Sequence, residues 1–264
     1  MNMSGKLGGK SGFLCAALWL RPYIFGRYCH ACGELMPVFE RKLFCVRCRK
    51  TLETFRLSLP EGERLPQRFS LYTYGGPVRR AMLGFKFYNE RQVGLAFAEE
   101  LAAAVSRFGE DLPDLVCFVP DYSLRAGRRY HPTEILAEAV SGCLGIPVGR
   151  DVLVKKKKIP PQSGTRNRRQ RLQNPRGAYG VKKNCDLSGK QILLIDDIVT
   201  TGATLRECTA ALYSAGAKNV FRATVAKTSP FAAKRLIPNS GIREKKIFHP
   251  VRTPFPYLLK KNEI

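Results

Sequence analysis

Residues 192–204 have the sequence Ile-Leu-Leu-Ile-Asp-Asp-Ile-Val-Thr-Thr-Gly-Ala-Thr. The four apolar residues at the start predict a buried parallel strand. Asp196 and Asp197 then fall at the C-terminal edge of that strand, where open α/β sheets bind ligands. The loop from Thr200 to Thr204 offers hydroxyls and backbone N–H groups, and a predicted helix over 205–213 follows it, as in many phosphate sites. The pattern predicts a sugar-phosphate site in which the carboxylates accept hydrogen bonds from vicinal hydroxyls.

Two other interpretations of this stretch are a solvated acid pair at the end of a buried strand and the acidic strand of a P-loop ATPase. The first does not account for the whole loop that follows. The second requires a separate G-x-x-x-x-G-K-[ST] motif. Residues 8–11 come close to that motif, but Ser4 occupies the position of its first glycine, and no strand can precede it so near the N-terminus.

Hydrophobic patterning along the rest of the chain predicts an α/β fold, a mostly parallel sheet with helices on both faces. The predicted strands cover residues 70–74, 115–119, 152–154, 190–195 and 219–227. The predicted helices cover residues 78–86, 93–105, 132–144 and 204–215. We expect four units: an N-terminal helix and cysteine module (1–55), a linker (56–68), the α/β domain (69–228) and a basic C-terminal tail (229–264).

Four of the nine cysteines form two Cys-x-x-Cys pairs, separated by twelve residues: Cys29, Cys32, Cys45 and Cys48. This spacing predicts a structural, tetrahedral zinc site in a zinc-ribbon-like module. The metal would supply the folding energy of so small a unit. Unligated thiols and a redox dithiol are the other interpretations, although a redox site needs only one pair. His30 lies inside the first pair, and we expect its side chain to point outward.

The scattered positions of the other five cysteines favour a reducing compartment, so we expect the protein in the cytoplasm. An apolar run over residues 13–20 resembles a signal peptide, but Arg21 and Pro22 interrupt it, and a short helix is the prediction. No segment approaches the length of a membrane span.

The net charge of +24 predicts a polyanionic partner, either nucleic acid or a highly phosphorylated small molecule. Between Val152 and Cys185 there is no acidic residue, but there are eleven basic ones. A loop of this kind closes over a pyrophosphate or holds a nucleic-acid backbone, since Lys and Arg neutralise phosphates without distinguishing sequence. A solvated basic loop is the alternative.

Residues 192–204 resemble the phosphoribosyl pyrophosphate (PRPP) motif of type I phosphoribosyltransferases. The order of a four-cysteine module, a linker and a motif domain resembles the ComF family, over roughly residues 15–228. Further matches are the segments 74–79, 86–87, 161–164 and 174–179. One departure is the stretch 128–132, Arg-Arg-Tyr-His-Pro, where the family usually has Arg-Gly-Phe-Asn-Gln.

The resemblance implies functions for individual residues. Asp196 and Asp197 would hold the ribose 2′- and 3′-hydroxyls, and Mg²⁺ would accompany the pyrophosphate. The loop around the 5′-phosphate would consist of Thr200, Thr201, Gly202, Ala203 and Thr204. Contacts to pyrophosphate or nucleic acid are expected from Lys86, Arg128, Arg166, Arg168, Arg169 and Arg171. No catalytic residue is identified.

Two functional hypotheses follow from the resemblance. The first is a ComF-type protein that binds PRPP with Mg²⁺ and single-stranded DNA during DNA uptake and natural transformation, together with competence or DNA-processing proteins. The second is an active phosphoribosyltransferase of nucleotide or cofactor metabolism, with an unidentified acceptor. A purely structural protein would have little use for the Asp-Asp-x-x-Thr-Thr-Gly pattern.

Overall fold

The computed structural model describes residues 27–229, except 38, 63, 109–111, 121–129, 157–176 and 184. Several predictions therefore lie outside the described residues. They are the helix at 13–20, most of the acid-free basic loop, the tail from residue 230, and the site residues Arg128, Arg166, Arg168, Arg169 and Arg171.

The N-terminal module consists of a two-stranded antiparallel ladder followed by a helix. Strand β1 (Arg27–Tyr28) pairs with β2 (Leu35–Met36), and α1 (Val46–Phe55) follows. Leu52 of α1 lies in the same core as the α/β domain. The segment after α1 also contacts the sheet, since Leu57 donates its backbone N–H to Leu71. The predicted boundaries of the four units remain predictions.

The α/β domain alternates strands and helices. In chain order its elements are β3 (Arg68–Thr73), α2 (Gly76–Phe87), α3 (Arg91–Ser106), β4 (Leu115–Phe118), α4 (Pro132–Leu144), β5 (Leu153–Lys155), β6 (Tyr179–Val181), β7 (Gln191–Val199), α5 (Ala203–Ser214) and β8 (Asn219–Lys227). Strands β3, β8, β7 and β4 form one parallel sheet in that order, and β5 pairs with β6 in a separate antiparallel ladder. The predicted α/β class with a parallel sheet is confirmed.

Alternation along β7 distributes the core over both faces of the sheet. Leu193 and Ile195 pack with buried residues of α2, α3 and α4. Ile192 and Leu194 pack on the other face with buried residues of α5. Successive side chains of a strand point to opposite faces, so a strand buried on both faces is apolar at every position. This arrangement explains the continuous apolar run of the sequence and confirms that helices cover both faces.

Strand β7 is longer than the sequence predicts. It continues through both aspartates to Val199, because its ladder with β8 continues beyond Ile195 and pairs Asp196 with Thr224 and Ile198 with Ala226. Both aspartates therefore belong to the strand itself, near its C-terminal end, and not to the loop that follows it. No helix of the described residues is both long and apolar enough to cross a membrane.

Close packing between α2 and α3 gives a test of the fold. A Cβ on Gly94 would overlap the ring of Phe85, which is fully buried. We expect Gly94→Ala to destabilise the protein by about 1–3 kcal/mol, because the ring must shift in a filled core. The measurement is urea unfolding.

Gly142→Ala is the matched control, since it also lies in a helix interior but its Cβ would meet nothing within 4 Å. There we expect a gain of roughly 0.5–1 kcal/mol from higher helix propensity. Equal effects of the two substitutions would contradict the described packing.

Candidate functional site

The four parallel strands place their C-terminal ends at one edge of the sheet. Tyr74 follows β3 there and donates its backbone N–H to Lys227 at the end of β8. The motif loop, defined as residues 200–204, follows β7 at the same edge. Val119 follows β4 and donates its backbone N–H to Ile195. The described residues that follow three of the strands therefore lie at one sheet edge, which is the usual ligand position of an open α/β sheet.

The two aspartates of β7 point to opposite faces of the sheet. Asp196 shares the α5 face with Ile192 and Leu194, whereas Asp197 shares the α2 face with Leu193 and Ile195. Asp197 is only 9% exposed. A carboxylate at this burial needs a partner, and Lys86 supplies it, with its Nζ 2.7 Å from Asp197 Oδ2.

The Lys86–Asp197 pair ties α2 to the end of the central strand. Burial of the Lys86 ammonium acts to lower its pKa, but the attraction of Asp197, reinforced by Asp196, outweighs it and raises the pKa above the ordinary lysine value. Lys86 therefore carries a full positive charge at neutral pH, directly beside Asp197. A cation here complements any phosphate that binds at this edge.

The motif loop leads directly into α5. Gly202 is its N-cap and has a φ of 72°, a left-handed conformation that favours glycine. Thr201 braces the turn, since its Oγ1 accepts the N–H of Ala203 and its carbonyl accepts a bond from Arg206 Nη1 at 3.0 Å. The first N–H groups of a helix have no intrahelical acceptor, so the start of a helix such as α5 favours a bound anion.

Two residues beside the site were not among the sequence-predicted site residues. Burial raises the pKa of the Tyr74 hydroxyl, while the charges of Arg79 and Lys86 act to lower it. Tyr74 and Arg79 therefore belong to the same electrostatic environment as Asp197. Both lie in the segment 74–79 that resembles the ComF family, which was the available signal for them.

The described ends of the basic loop are held next to α5. Strands β5 and β6 pair antiparallel just outside residues 157–176, and Lys155 Nζ lies 5.9 Å from the centre of the Tyr179 ring. The backbone N–H of Gly177 donates to Glu207 Oε2 at 2.9 Å. Both ends of the loop thus begin beside the helix that follows the motif loop.

The segment that departs from the family pattern also contacts α2. Tyr130 donates its hydroxyl to the carbonyl of Phe85 and stacks on the Phe85 ring, with centroids 5.8 Å apart. The guanidinium of Arg91 lies 5.3 Å from the centre of the Tyr130 ring. Tyr130 therefore joins the loop after β4 to the helix that carries Lys86.

The four paired cysteines converge as predicted. Their Sγ atoms all lie within 4.8 Å of one another. A tetrahedral zinc ion with Zn–S bonds of about 2.3 Å holds its sulfurs about 3.8 Å apart, and the Cys32 and Cys45 sulfurs are 3.8 Å apart. The backbone N–H of Cys45 points at the sulfur of Cys29, and that of Cys48 at the sulfur of Cys45. The cluster fits a structural zinc ion.

His30 points away from the cysteine sulfurs and contacts the α/β domain. Its Nδ1 lies 2.9 Å from Glu90 Oε2. An ionised carboxylate only accepts hydrogen bonds, so Nδ1 carries the proton. The sequence places His30 between two ligands, but it does not indicate which residue the ring meets.

Comparison with known proteins agrees with this arrangement. The family model described as "Phosphoribosyl transferase domain" matches residues 132–237. Competence protein F of Haemophilus influenzae is 27% identical over 200 residues, covering 73% of this chain and 81% of that protein. The chain is similar to ComF-family proteins over this range. It also matches DNA utilization protein YhgH of Salmonella typhimurium, 26% identical over 73% of this chain and 80% of that protein.

Solved phosphoribosyltransferase structures are more distant from this chain. The adenine phosphoribosyltransferase of Leishmania tarentolae gives a TM-score of 0.36 at 16% identity, over 61% of this chain and 70% of that chain. The predicted ComF resemblance is confirmed by the family model, the curated relatives and the cysteine cluster.

The ion pair at the sheet edge gives a second prediction. We expect Lys86→Gln to lower the free energy of unfolding by about 2–3 kcal/mol, because it leaves a nearly buried carboxylate without its partner. The raised pKa of Lys86 means that its contribution is present at neutral pH and is lost only as the pH rises through that raised value. Urea unfolding at pH 7 measures the effect.

Lys182→Gln is the control, since Lys182 lies 3.7 Å from Asp151 in an exposed pair. Its effect should stay within about 0.5 kcal/mol. A Lys86→Gln protein as stable as the wild type would show that Asp197 does not depend on this partner.

Proposed function

We propose that this chain binds PRPP with Mg²⁺ and acts with single-stranded DNA in DNA uptake and use. The observation that carries the proposal is the meeting, at one sheet edge, of the paired acids of β7, the motif loop and Lys86. These are the groups that a phosphorylated ribose with a charged leaving group requires.

Each part of PRPP has a chemically suitable partner at this edge. The 5′-phosphate suits the backbone N–H groups and hydroxyls of the motif loop at the start of α5. The ribose 2′- and 3′-hydroxyls donate to Asp196 and Asp197, since ionised carboxylates only accept hydrogen bonds. The pyrophosphate is the most charged part, and it suits Mg²⁺ together with Lys86.

The nucleic-acid side of the proposal rests on charge and on exposed rings. The cysteine module carries two exposed aromatic side chains, Tyr28 at 50% and Phe39 at 85% exposure. Exposed basic residues surround them in the sequence: Arg27, Arg41, Lys42, Arg47 and Lys50. Aromatic platforms among cations favour single strands, whose unpaired bases stack freely. One relative is named a DNA utilization protein, which supports this assignment.

The cytoplasm is the compartment that we propose for this function. All eight cysteines in the described part of the chain are free. A four-thiolate metal site needs reduced sulfur, which a reducing compartment maintains.

The alternative is an active phosphoribosyltransferase, favoured by the matching domain family. Its chemistry would be attack of an acceptor on ribose C1 with departure of pyrophosphate, and the protein would contribute positioning and charge stabilisation. Release of pyrophosphate that depends on an added acceptor would support this function.

The acid pair gives a third prediction. We expect Asp196→Asn combined with Asp197→Asn to weaken PRPP binding on the order of 100-fold, because two charge-assisted hydrogen bonds to ribose are lost. Calorimetry of the wild type and the double variant with PRPP and Mg²⁺ measures the loss, and circular dichroism confirms that the variant folds.

Asp151→Asn serves as its control, because that aspartate is exposed and lies in the β5 region away from the paired acids. Wild-type affinity in the double variant would reject the assignment of the ribose site.

The exposed rings give a fourth prediction. We expect Phe39→Ala to weaken binding of an oligo-dT strand by roughly fivefold or more, since stacking on one base contributes about 1–3 kcal/mol. Fluorescence anisotropy measures the affinity at several salt concentrations, and binding should fall steeply with salt.

Leu95→Ala is its control, because Leu95 is an exposed apolar residue of α3 without a ring. Affinity that is independent of salt, or equal in the two variants, would argue against this surface as the DNA site.

A further inference from the structure

The cysteine module contacts helix α2 near both ends of that helix. At the N-terminal end, the ring of Phe55, the last residue of α1, covers Gly75 and Gly76. A Cβ on these glycines would lie 2.6 and 2.8 Å from ring atoms of Phe55. Only glycine leaves room for the ring here, so α1 packs directly against the start of α2.

At the C-terminal end, the contact runs through Glu90. Glu90 is the N-cap of α3, and its carboxylate lies against Gly84 of α2, where an added Cβ would overlap it. The same carboxylate accepts the hydrogen bond from His30. The side chains of His30 and Glu90 are 26% and 28% exposed, so the pair is largely screened from solvent.

The cysteine cluster determines where His30 lies. The ring belongs to the turn between Cys29 and Cys32, and the His30 backbone N–H donates to the carbonyl of Leu43, two residues before Cys45. A metal ion held by the four thiolates would fix this turn. Loss of the metal would release the turn, and His30 with it.

Gly84 precedes Lys86 by two residues in the same helix, and Lys86 pairs with Asp197. A continuous line of contacts therefore runs from the cysteine turn through His30, Glu90 and the end of α2 to the acid pair. Coupling between sites is carried by packed side chains, hydrogen bonds and rigid secondary elements, and this line of contacts contains all three.

We propose that His30 and Glu90 are positioning residues that couple metal loading of the cysteine module to ligand affinity at the β7 acid pair. The inference rests on the proposed function, because PRPP is the ligand whose affinity it concerns. The coupling is reciprocal, so PRPP with Mg²⁺ strengthens zinc retention by the same factor. A merely structural His30–Glu90 bond would change the melting temperature and leave PRPP affinity unaltered.

The experiment compares PRPP affinity and zinc content in the full-length chain. The variants are His30→Ala, His30→Asn and Glu90→Ala, measured by calorimetry with Mg²⁺ and by a chromogenic zinc assay. We expect His30→Ala and Glu90→Ala each to weaken PRPP binding by about five- to tenfold while one zinc ion per chain is retained. His30→Asn should recover most of the affinity, since its amide replaces the Nδ1 donor.

The double variant and a matched control sharpen the comparison. Combining His30→Ala with Glu90→Ala should cost no more affinity than either change alone, because both remove one interaction. Glu40→Ala removes an ion pair with Arg49 whose side chains are similarly exposed, at 23% and 31%, and which stays within the module. Its PRPP affinity should equal that of the wild type.

The outcomes distinguish failure of the proposed coupling from failure of the proposed function. A Glu90→Ala variant that binds PRPP with wild-type affinity overturns the coupling. This variant still decides the question if His30→Ala loses its zinc ion. If the wild type itself does not bind PRPP, the proposed function fails. Amide hydrogen exchange then tests the coupling by itself. Faster exchange of the last amides of α2 in Glu90→Ala supports the coupling, and unchanged exchange overturns it.

Discussion

The site depends on the burial of Asp197 at the end of the central strand. Alternation along β7 sends this carboxylate to the face covered by α2, where it is 9% exposed. An unpaired charge at this depth is costly, so the fold requires a cation from a neighbouring element. Lys86 provides that cation at 2.7 Å. The charge balance of the acid pair therefore depends on the placement of α2.

Helix α2 is consequently the element that joins the separate parts of the molecule. Its inner face fills the core through Val78, Met82 and Phe85. Its two ends contact the cysteine module through Phe55 and Glu90. The cysteine cluster and the acid pair are thus connected through one helix.

Local sequence signals predicted much of this structure. Helix α4 and strand β8 have the predicted bounds, because a proline at the helix start, a glycine after its end and an apolar strand pattern are local features. The convergence of the four cysteines could be predicted from their spacing alone. The C-terminal end of β7 could not be predicted, because it depends on the pairing of β7 with β8. The Lys86–Asp197 and His30–Glu90 pairs also could not be predicted, since they join residues distant in sequence that only the packed helices bring together.

A crystal structure of the chain with PRPP and Mg²⁺ bound tests the proposed ligand site most directly. We expect the 5′-phosphate on the motif loop, residues 200–204, and the ribose hydroxyls on Asp196 and Asp197. A phosphate bound away from that loop, or a ribose that contacts neither aspartate, would contradict it.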